Sequence, residues 1–276
     1  MEDAVLDDYA RCAAEIAREA GAILRDRFDQ PHEIRFKGAI DMVTEADQAA
    51  EALIAGRLRE RFPDHDLLGE EGARGAAGDA RFRWDIDPLD GTTNFAHGLP
   101  TFAVSIGLEE DGALVCGTVY DPMRDELFVA RRGGGATLNG APIHVSATNT
   151  LLASLLVTGF SYDLAQRDQQ ARIWRDFLTR VQAIRQTGSS ALNLCYIAAG
   201  RLDGYWERGI SPWDVAAGAL MVMEAGGAVT DLRGGPFRAD DRQILASNGA
   251  LHEQLLAVIA PYQTQDAATA GVTLGA

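Results

Sequence analysis

The 276-residue sequence has little cysteine and no long apolar run, and both shortages exclude classes of protein. Its three cysteines, Cys12, Cys116 and Cys195, are far apart and odd in number, which excludes a disulfide framework and a paired zinc motif. Each lies in an apolar stretch, as buried thiols in a reducing compartment do. No apolar run could span a bilayer, and the acidic start from Met1 to Asp8 is unlike a secretory leader. We therefore expect a cytoplasmic protein with no membrane partner.

Positive charge is also scarce in this chain. It has 25 Lys and Arg against 40 Asp and Glu, and its formal net charge is −15. Such a surface repels the phosphates of nucleic acid, so we expect no nucleic-acid partner. It also repels a small phosphorylated molecule unless the binding site carries local positive charge, which bound metal cations can supply.

Hydrophobic periodicity separates the chain into two patterns. In the first, two amphipathic helices are followed by strands with short turns; we predict the helices over 3–28 and 44–61 and the strands over 81–86, 101–108, 114–119 and 126–130. In the second, strands and helices alternate; we predict strands over 155–157, 184–186, 205–207, 228–230 and 244–247, and helices over 166–181, 189–199, 212–225 and 250–259.

These patterns predict an α/β protein with two halves. Residues 1–146 form an α+β half with an antiparallel-rich sheet, and residues 147–262 form an α/β half. Residues 263–276 have no periodicity, and we expect a disordered tail there.

The densest chemical pattern lies just after a predicted strand. Pro88 interrupts strand pairing, so Asp87 and Asp90 flank a turn and point toward one spot. Gly91 allows the turn, and Gly91 and Thr92 begin a helix whose free amides suit a phosphate. Considered alone, the segment fits a polar turn with aspartate caps equally well.

Several segments resemble the inositol monophosphatase family, and they occur in the family's order. The two signatures lie at Asp87–Phe95 and Trp213–Gly218, and Tyr205–Ile210 and Lys37–Asp47 are also of family type. The resemblance covers about Asp8–Pro261. It implies a layered αβαβα sandwich, Mg²⁺-dependent hydrolysis of a small phosphate monoester, sensitivity to lithium, and a homodimer.

The resemblance also implies two or three Mg²⁺ ions per active site. Glu70, Asp87 and the carbonyl of Leu89 would hold the first ion, and Asp87, Asp90 and Asp214 the second. Glu70 would help to position a third. Physical chemistry agrees, because four carboxylates cannot share a small site as anions without cations, and Mg²⁺ prefers oxygen ligands. No cluster of His or Cys stands near, which argues against zinc.

Catalytic roles follow from the same resemblance. Glu70 and Thr92 would orient the attacking water, and Asp47 would hydrogen-bond the Thr92 hydroxyl. The alternative for Asp47 is helix capping, because Thr44 to Asp47 resembles a capping box. Gly72 stands where the family often has Ser or Thr, which puts one stabilising hydrogen bond of the Glu70 loop in doubt.

Substrate contacts are expected on both halves. The amides of Gly91 and Thr92 would receive the phosphate, and Glu207 would accept hydrogen bonds from substrate hydroxyls. Further substrate-binding residues are expected at Leu89, Asp90, Arg185, Gly188, Ser189, Ser190 and Asp214. Ser189 is equally consistent with a helix N-cap. Lys37 lies either near the outer metal or on the surface.

The function predicted from the sequence is hydrolysis of inositol 1-phosphate to inositol and phosphate. The alternative within enzymes is a broad sugar-phosphate or histidinol-phosphate phosphatase. The alternative outside enzymes is a binding or regulatory protein that reuses the fold. Retention of Glu70, Asp87, Asp90, Thr92 and Asp214 together favours catalysis.

Overall fold

The structure, a computed structural model, describes residues 3–38, 40–75 and 80–263. The tail predicted to be disordered lies outside the described residues, apart from Gln263. The helices are α1 (Asp3–Arg27), α2 (Glu45–Arg61), α3 (Thr92–Ala96), α4 (Leu164–Leu178), α5 (Ser190–Ala198), α6 (Pro212–Glu224) and α7 (His252–Ile259).

The strands form one large sheet, one smaller sheet and a two-stranded pair. They are β1 (Arg35–Phe36), β2 (Met42–Val43), β3 (Asp66–Gly69), β4 (Phe82–Asp90), β5 (Ala103–Glu110), β6 (Ala113–Asp121), β7 (Glu126–Arg131), β8 (Gly135–Leu138), β9 (Ala141–Pro142), β10 (Leu155–Thr158), β11 (Ala183–Arg185), β12 (Gly204–Arg208), β13 (Ala228–Thr230) and β14 (Gln243–Ser247).

The seven-stranded sheet has the order β3-β4-β5-β6-β7-β8-β9. It is antiparallel throughout except that β3 runs parallel to β4. The five-stranded sheet has the order β11-β10-β12-β14-β13, in which β10 is parallel to both its neighbours and the other pairs are antiparallel. The predicted α/β class, with an antiparallel-rich first sheet, is confirmed.

The elements stack in five layers around three apolar clusters. Helices α1 and α2 cover one face of the large sheet, α5 and α6 lie between the two sheets, and α4 and α7 cover the far face of the small sheet. The layered αβαβα sandwich is therefore confirmed. The middle cluster joins Phe128 of the large sheet to Tyr205 of the small one, so the predicted halves share a core. The boundary at residues 146 and 147 stays a prediction.

Most predicted elements end within a few residues of the observed ones. The elements that the sequence analysis did not predict are the short strands β1, β2, β3, β8 and β9, which have two to four residues each and therefore little periodicity. None of the described helices is both long enough and apolar enough to cross a membrane.

Helix α6 packs very closely on the large sheet because two central strands present glycine to it. A Cβ built on Gly117 would lie 2.6 Å from the carbonyl oxygen of Ala217, and one built on Gly107 would lie 2.8 Å from Cβ of Ala216. This approach matters for the site, because the first turn of α6 carries Asp214.

We predict opposite effects for two glycine-to-alanine changes. Gly117→Ala should lower the free energy of unfolding by about 1–3 kcal/mol, because the added methyl meets the backbone of α6. Gly56→Ala, inside α2 with open space around its Cβ, should raise it by about 0.5–1 kcal/mol. Urea unfolding of both variants checks this, and equal effects would contradict the close packing of α6.

Candidate functional site

A bulge at the end of β4 aims two aspartates at the same place. Asp87 pairs with Ser105 and Asp90 with Ala103, so two residues of β4 lie opposite one residue of β5. Side chains three residues apart in a regular strand point to opposite faces, and the extra residue of a bulge cancels that alternation. Strand β4 thus continues to Asp90, which corrects the prediction that Pro88 ends the strand pairing.

Asp90 joins the large sheet to the beginning of α5. Its Oδ1 accepts a hydrogen bond from the amide of Ser190 at 3.1 Å, and its Oδ2 accepts from the amide of Ala191 at 2.7 Å. The hydroxyl of Ser189 also donates to Oδ2. The same hydroxyl accepts from the amide of Leu192 at 3.2 Å, so Ser189 is an N-cap as well as a partner of Asp90.

Asp214 enters the site from the first turn of α6. Its Oδ2 accepts a hydrogen bond from the amide of Ser211 at 2.7 Å, which fixes the side chain at the helix start. Asp214 also helps to line the cavity described below.

Glu70 lies directly after β3 and is paired with a cation of the protein. The Nζ of Lys37 donates to Glu70 at 2.7 Å and to Glu71 at 2.8 Å. Lys37 also lines the cavity, so it is not a plain surface lysine.

Glu51 holds the Glu70 loop and was missed by the sequence analysis. This buried carboxylate on α2 accepts from the amide of Glu71 and from the amide of Ala73, both at 2.7 Å. These bonds secure the loop where Gly72 replaces the family's hydroxyl residue. Glu51 falls on the buried face of α2 with Asp47, and that placement of a charged residue was the available signal.

Thr92 and Asp47 meet as the resemblance implies. The Thr92 hydroxyl lies 2.9 Å from Oδ1 of Asp47 and 3.0 Å from the carbonyl oxygen of Leu89. The other oxygen of Asp47 accepts from the amide of Thr44 at 2.8 Å. Asp47 therefore does both things that were considered for it: one oxygen caps α2 and the other holds Thr92.

These groups surround one cavity of about 640 Å³. Among the predicted site residues, the cavity is lined by Glu70, Asp87, Leu89, Asp90, Gly91, Thr92, Gly188, Ser189, Ser190, Glu207 and Asp214. Asp47 lies behind Thr92. Glu207 is buried on β12 and accepts a hydrogen bond from the Tyr205 hydroxyl.

Arg185 does not join the predicted set. It is the last residue of the edge strand β11, its side chain is exposed, and its Nη1 donates to the carbonyl of Ile184 at 3.2 Å. It is absent from the cavity wall that the described residues form, so the structure does not bring it to the site.

The carboxylates of the cavity are electrostatically frustrated. Burial and the charges of Glu70, Asp90 and Asp214 raise the pKa of Asp87 well above its usual range. Burial raises the pKa of Glu70 to about 7, although Lys37 opposes the shift. Burial likewise raises the pKa of Asp90 to about 6 against its hydrogen bonds from α5.

The carboxylates of the cavity suit a hard cation, although each of them is held by its own partner within the protein. Every negative group of the set offers oxygen, and no described His or Cys lines the cavity, which suits Mg²⁺ rather than zinc. Within the described ranges, no three His, Cys, Asp or Glu side chains already converge to hold a metal ion. Each carboxylate instead has a partner within the protein: Lys37 holds Glu70, and backbone amides hold Asp90 and Asp214. The amide of Leu89 likewise donates to Oδ1 of Asp87 at 3.0 Å.

Comparisons with known proteins agree with this site. The model of the inositol monophosphatase family matches residues 5–264. An inositol-1-monophosphatase of Synechocystis is 46% identical over 257 residues, which cover 92% of this chain and 90% of that protein. A Nus factor SuhB of Pseudomonas aeruginosa is 42% identical, over 91% and 95%. A solved inositol monophosphatase from Anabaena (Nostoc) has a TM-score of 0.84 and 43% identity, over 93% and 96%.

The fold and the similarity to these relatives define a phosphoric monoester hydrolase. The chain belongs to the inositol monophosphatase family.

We predict that the protein without divalent cations becomes more stable as the pH falls from 8 to 6. The folded state binds protons on Glu70 and Asp90 at pH values where the unfolded chain does not, because their pKa values are about 7 and about 6 when folded. Each such proton changes the free energy of unfolding by roughly 1.4 kcal/mol per pH unit.

Urea unfolding in a chelator at both pH values measures how the free energy of unfolding changes with pH. Glu70→Gln, which cannot ionise at this position, should reduce that change, and the exposed Glu60→Gln should not. The electrostatic account is contradicted if, as the pH falls from 8 to 6, the wild type gains no stability relative to Glu70→Gln.

Proposed function

We propose that this protein hydrolyses inositol 1-phosphate to inositol and phosphate with Mg²⁺ and an activated water. The observation that carries the proposal is that Glu70, Asp87, Asp90 and Asp214 line one cavity, which Glu207 also lines. Similarity to inositol monophosphatases supports the substrate, since the Synechocystis relative is named inositol-1-monophosphatase.

Glu70, Asp87, Asp90, Asp214 and the carbonyl of Leu89 would hold two or three Mg²⁺ ions. When bound, Mg²⁺ supplies positive charge that neutralises the phosphate, lowers the pKa of water and stabilises the leaving alkoxide. To hold a cation, Glu70 would have to give up its contact with Lys37. The positive charge would offset the repulsion that raises the pKa of Asp87.

Thr92, Asp47 and Glu70 position the water. With its proton donated to Asp47, the Thr92 hydroxyl keeps lone pairs that accept a hydrogen bond from the water. Glu70, which lines the same cavity, would orient this water through a carboxylate oxygen. Asp47 acts through Thr92 and is a positioning residue.

The rest of the substrate is held by the chain's own polar groups. The first amides of α3, from Gly91 and Thr92, offer hydrogen bonds to the phosphate, since amides at a helix start have no partner within the helix. Glu207 accepts from ring hydroxyls. Its Oε2 is already oriented by the Tyr205 hydroxyl, which makes its position independent of substrate.

Two alternatives remain for comparison. If the protein is a broad sugar-phosphate or histidinol-phosphate phosphatase, it would use the same carboxylates, and the role of Glu207 would differ. A non-catalytic protein is suggested by the name Nus factor given to the Pseudomonas relative. The full set of carboxylates around the cavity favours catalysis, and the net charge of −15 opposes contact with nucleic acid.

Asp214→Asn tests the role of the cation. The amide oxygen can still accept from Ser211, so the fold should be kept, whereas the change at Asp90 would disturb three donors. We expect Mg²⁺-dependent phosphate release to fall by at least about 100-fold, because a ligand charge is lost. The exposed Asp64→Asn serves as a charge-matched control.

A second readout separates chemistry from folding. Removing one of the crowded charges should raise the melting temperature of Asp214→Asn in chelator and reduce its further rise on adding Mg²⁺. Unchanged phosphate release, or the same Mg²⁺-induced rise as the wild type, contradicts the proposed cation site.

Glu207→Gln tests the substrate. We expect kcat/KM for inositol 1-phosphate to fall about tenfold, because a charge-assisted hydrogen bond to a hydroxyl is weakened. Activity on 4-nitrophenyl phosphate, which has no hydroxyls, should change much less. A panel that adds a sugar phosphate and histidinol phosphate completes the test, and the inositol assignment fails if inositol 1-phosphate is the poorest substrate.

A further inference from the structure

Two arginines at the cavity have no role in the proposed reaction. Arg167 lies near the start of α4, and Arg242 immediately precedes β14. Among the described residues that line the cavity, the other cation is Lys37. Its ammonium is already shared by Glu70 and Glu71, so it offers little charge to a substrate.

Neither arginine is neutralised by the part of the chain that the structure describes. Arg167 and Arg242 form no ion pair there, although the cavity wall is rich in carboxylates. The Nε of Arg167 donates to the carbonyl of Ser161 at 2.8 Å, which orients the guanidinium. Its two terminal nitrogens have no acceptor among the described residues. The side chain of Arg242 is exposed.

The backbone at Arg242 is unusual. Its φ is 54°, and the other described non-glycine residues with positive φ are Asp111, Asp125 and Asn139. Asp and Asn tolerate this region because their short side chains bond locally, whereas arginine has no such compensation. The conformation lets the carbonyl of Arg242 accept from the amide of Gly209 at 2.9 Å, another residue of the cavity wall.

The two wall segments that carry these arginines are tied together by Gln170. This buried side chain accepts from the amide of Ser161 at 3.0 Å and donates to the carbonyl of Arg208 at 3.1 Å. The carbonyl of Ser161 accepts from Arg167, and the amide of Gly209, which follows Arg208, donates to the carbonyl of Arg242. The pair is therefore mounted on a connected wall rather than on separate loops.

We propose that Arg167 and Arg242 bind a second phosphate group of the substrate, remote from the phosphate that is hydrolysed. The inference rests on the proposed function and extends its substrate class from inositol 1-phosphate to phosphate monoesters that carry another phosphate. Guanidinium groups match phosphate oxygens in two-pronged hydrogen bonds. On a chain of net charge −15, arginines that line the cavity without an ion pair also offset the repulsion of a polyanionic ligand.

The test is a binding measurement that needs no turnover. Alkane-α,ω-bisphosphonates of increasing chain length and the matching alkylmonophosphonates are titrated calorimetrically into the Mg²⁺-loaded full chain. We expect the bisphosphonate of optimal length to bind about tenfold more tightly than its monophosphonate, which corresponds to one well-formed charge-assisted contact. Higher ionic strength should reduce this preference.

Arg167→Gln and Arg242→Asn should each lower the preference by about threefold or more, and the double variant should abolish it. Asparagine is chosen because it accepts the positive φ of residue 242. Arg175→Gln, an exposed arginine of the same helix that does not line the cavity, makes the same charge change and should keep the preference.

A preference of about twofold or less at every chain length overturns the proposal, since two equivalent ends alone give that factor. A preference that survives in the double variant overturns it as well. Neither result bears on hydrolysis of inositol 1-phosphate, whose loss in the wild type would instead count against the proposed function.

Discussion

Mutual repulsion among buried carboxylates is the constraint on which the rest of the site depends. Asp87 is almost fully buried and feels the charges of Glu70, Asp90 and Asp214. Solvent cannot screen these charges well at such depth, so protons or cations must compensate them. The protein uses one ammonium, that of Lys37, and several backbone amides for part of this compensation. The remainder is the electrostatic basis for binding a divalent ion.

The same interactions that restrain the carboxylates also connect the layers of the fold. Asp90 belongs to the large sheet and receives the first amides of α5, and Asp214 caps α6, which packs against glycines of that sheet. The cavity therefore opens where the helices of the middle layer begin. Glu207 reaches it from the small sheet. The residues expected to contact substrate, from both sheets, and the carboxylates of the large sheet and α6 thus line one cavity.

The sequence predicted the helices and long strands well because their periodicity is strong, as in α1 and in β5 to β7. The short strands were not predicted, since two to four residues carry no period. The bulge at Pro88 was also missed, because proline usually ends strand pairing and only the register of β5 shows that the strand continues.

For the site, the family motifs identified the residues that line the cavity, and the structure added how they are supported. Glu51 was missed because it precedes the loop it holds by about twenty residues and belongs to no motif. Arg185 was expected from its nearness to Ser189 in the chain, yet the edge of the small sheet turns it outward. Arg167 and Arg242 could not be identified from the sequence, because they are far apart in the chain and belong to no motif. Only the structure shows that both line the cavity.

The most direct test of the central claim is the number of protons released when Mg²⁺ binds. Calorimetric titration of Mg²⁺ near pH 6.5, in buffers of different ionisation enthalpy, gives that number. Glu70 and Asp90 have pKa values of about 7 and about 6 before the ion binds, so the account predicts net proton release at pH 6.5 that decreases as the pH rises. Mg²⁺ binding without proton release at pH 6.5, or no binding at all, would contradict it.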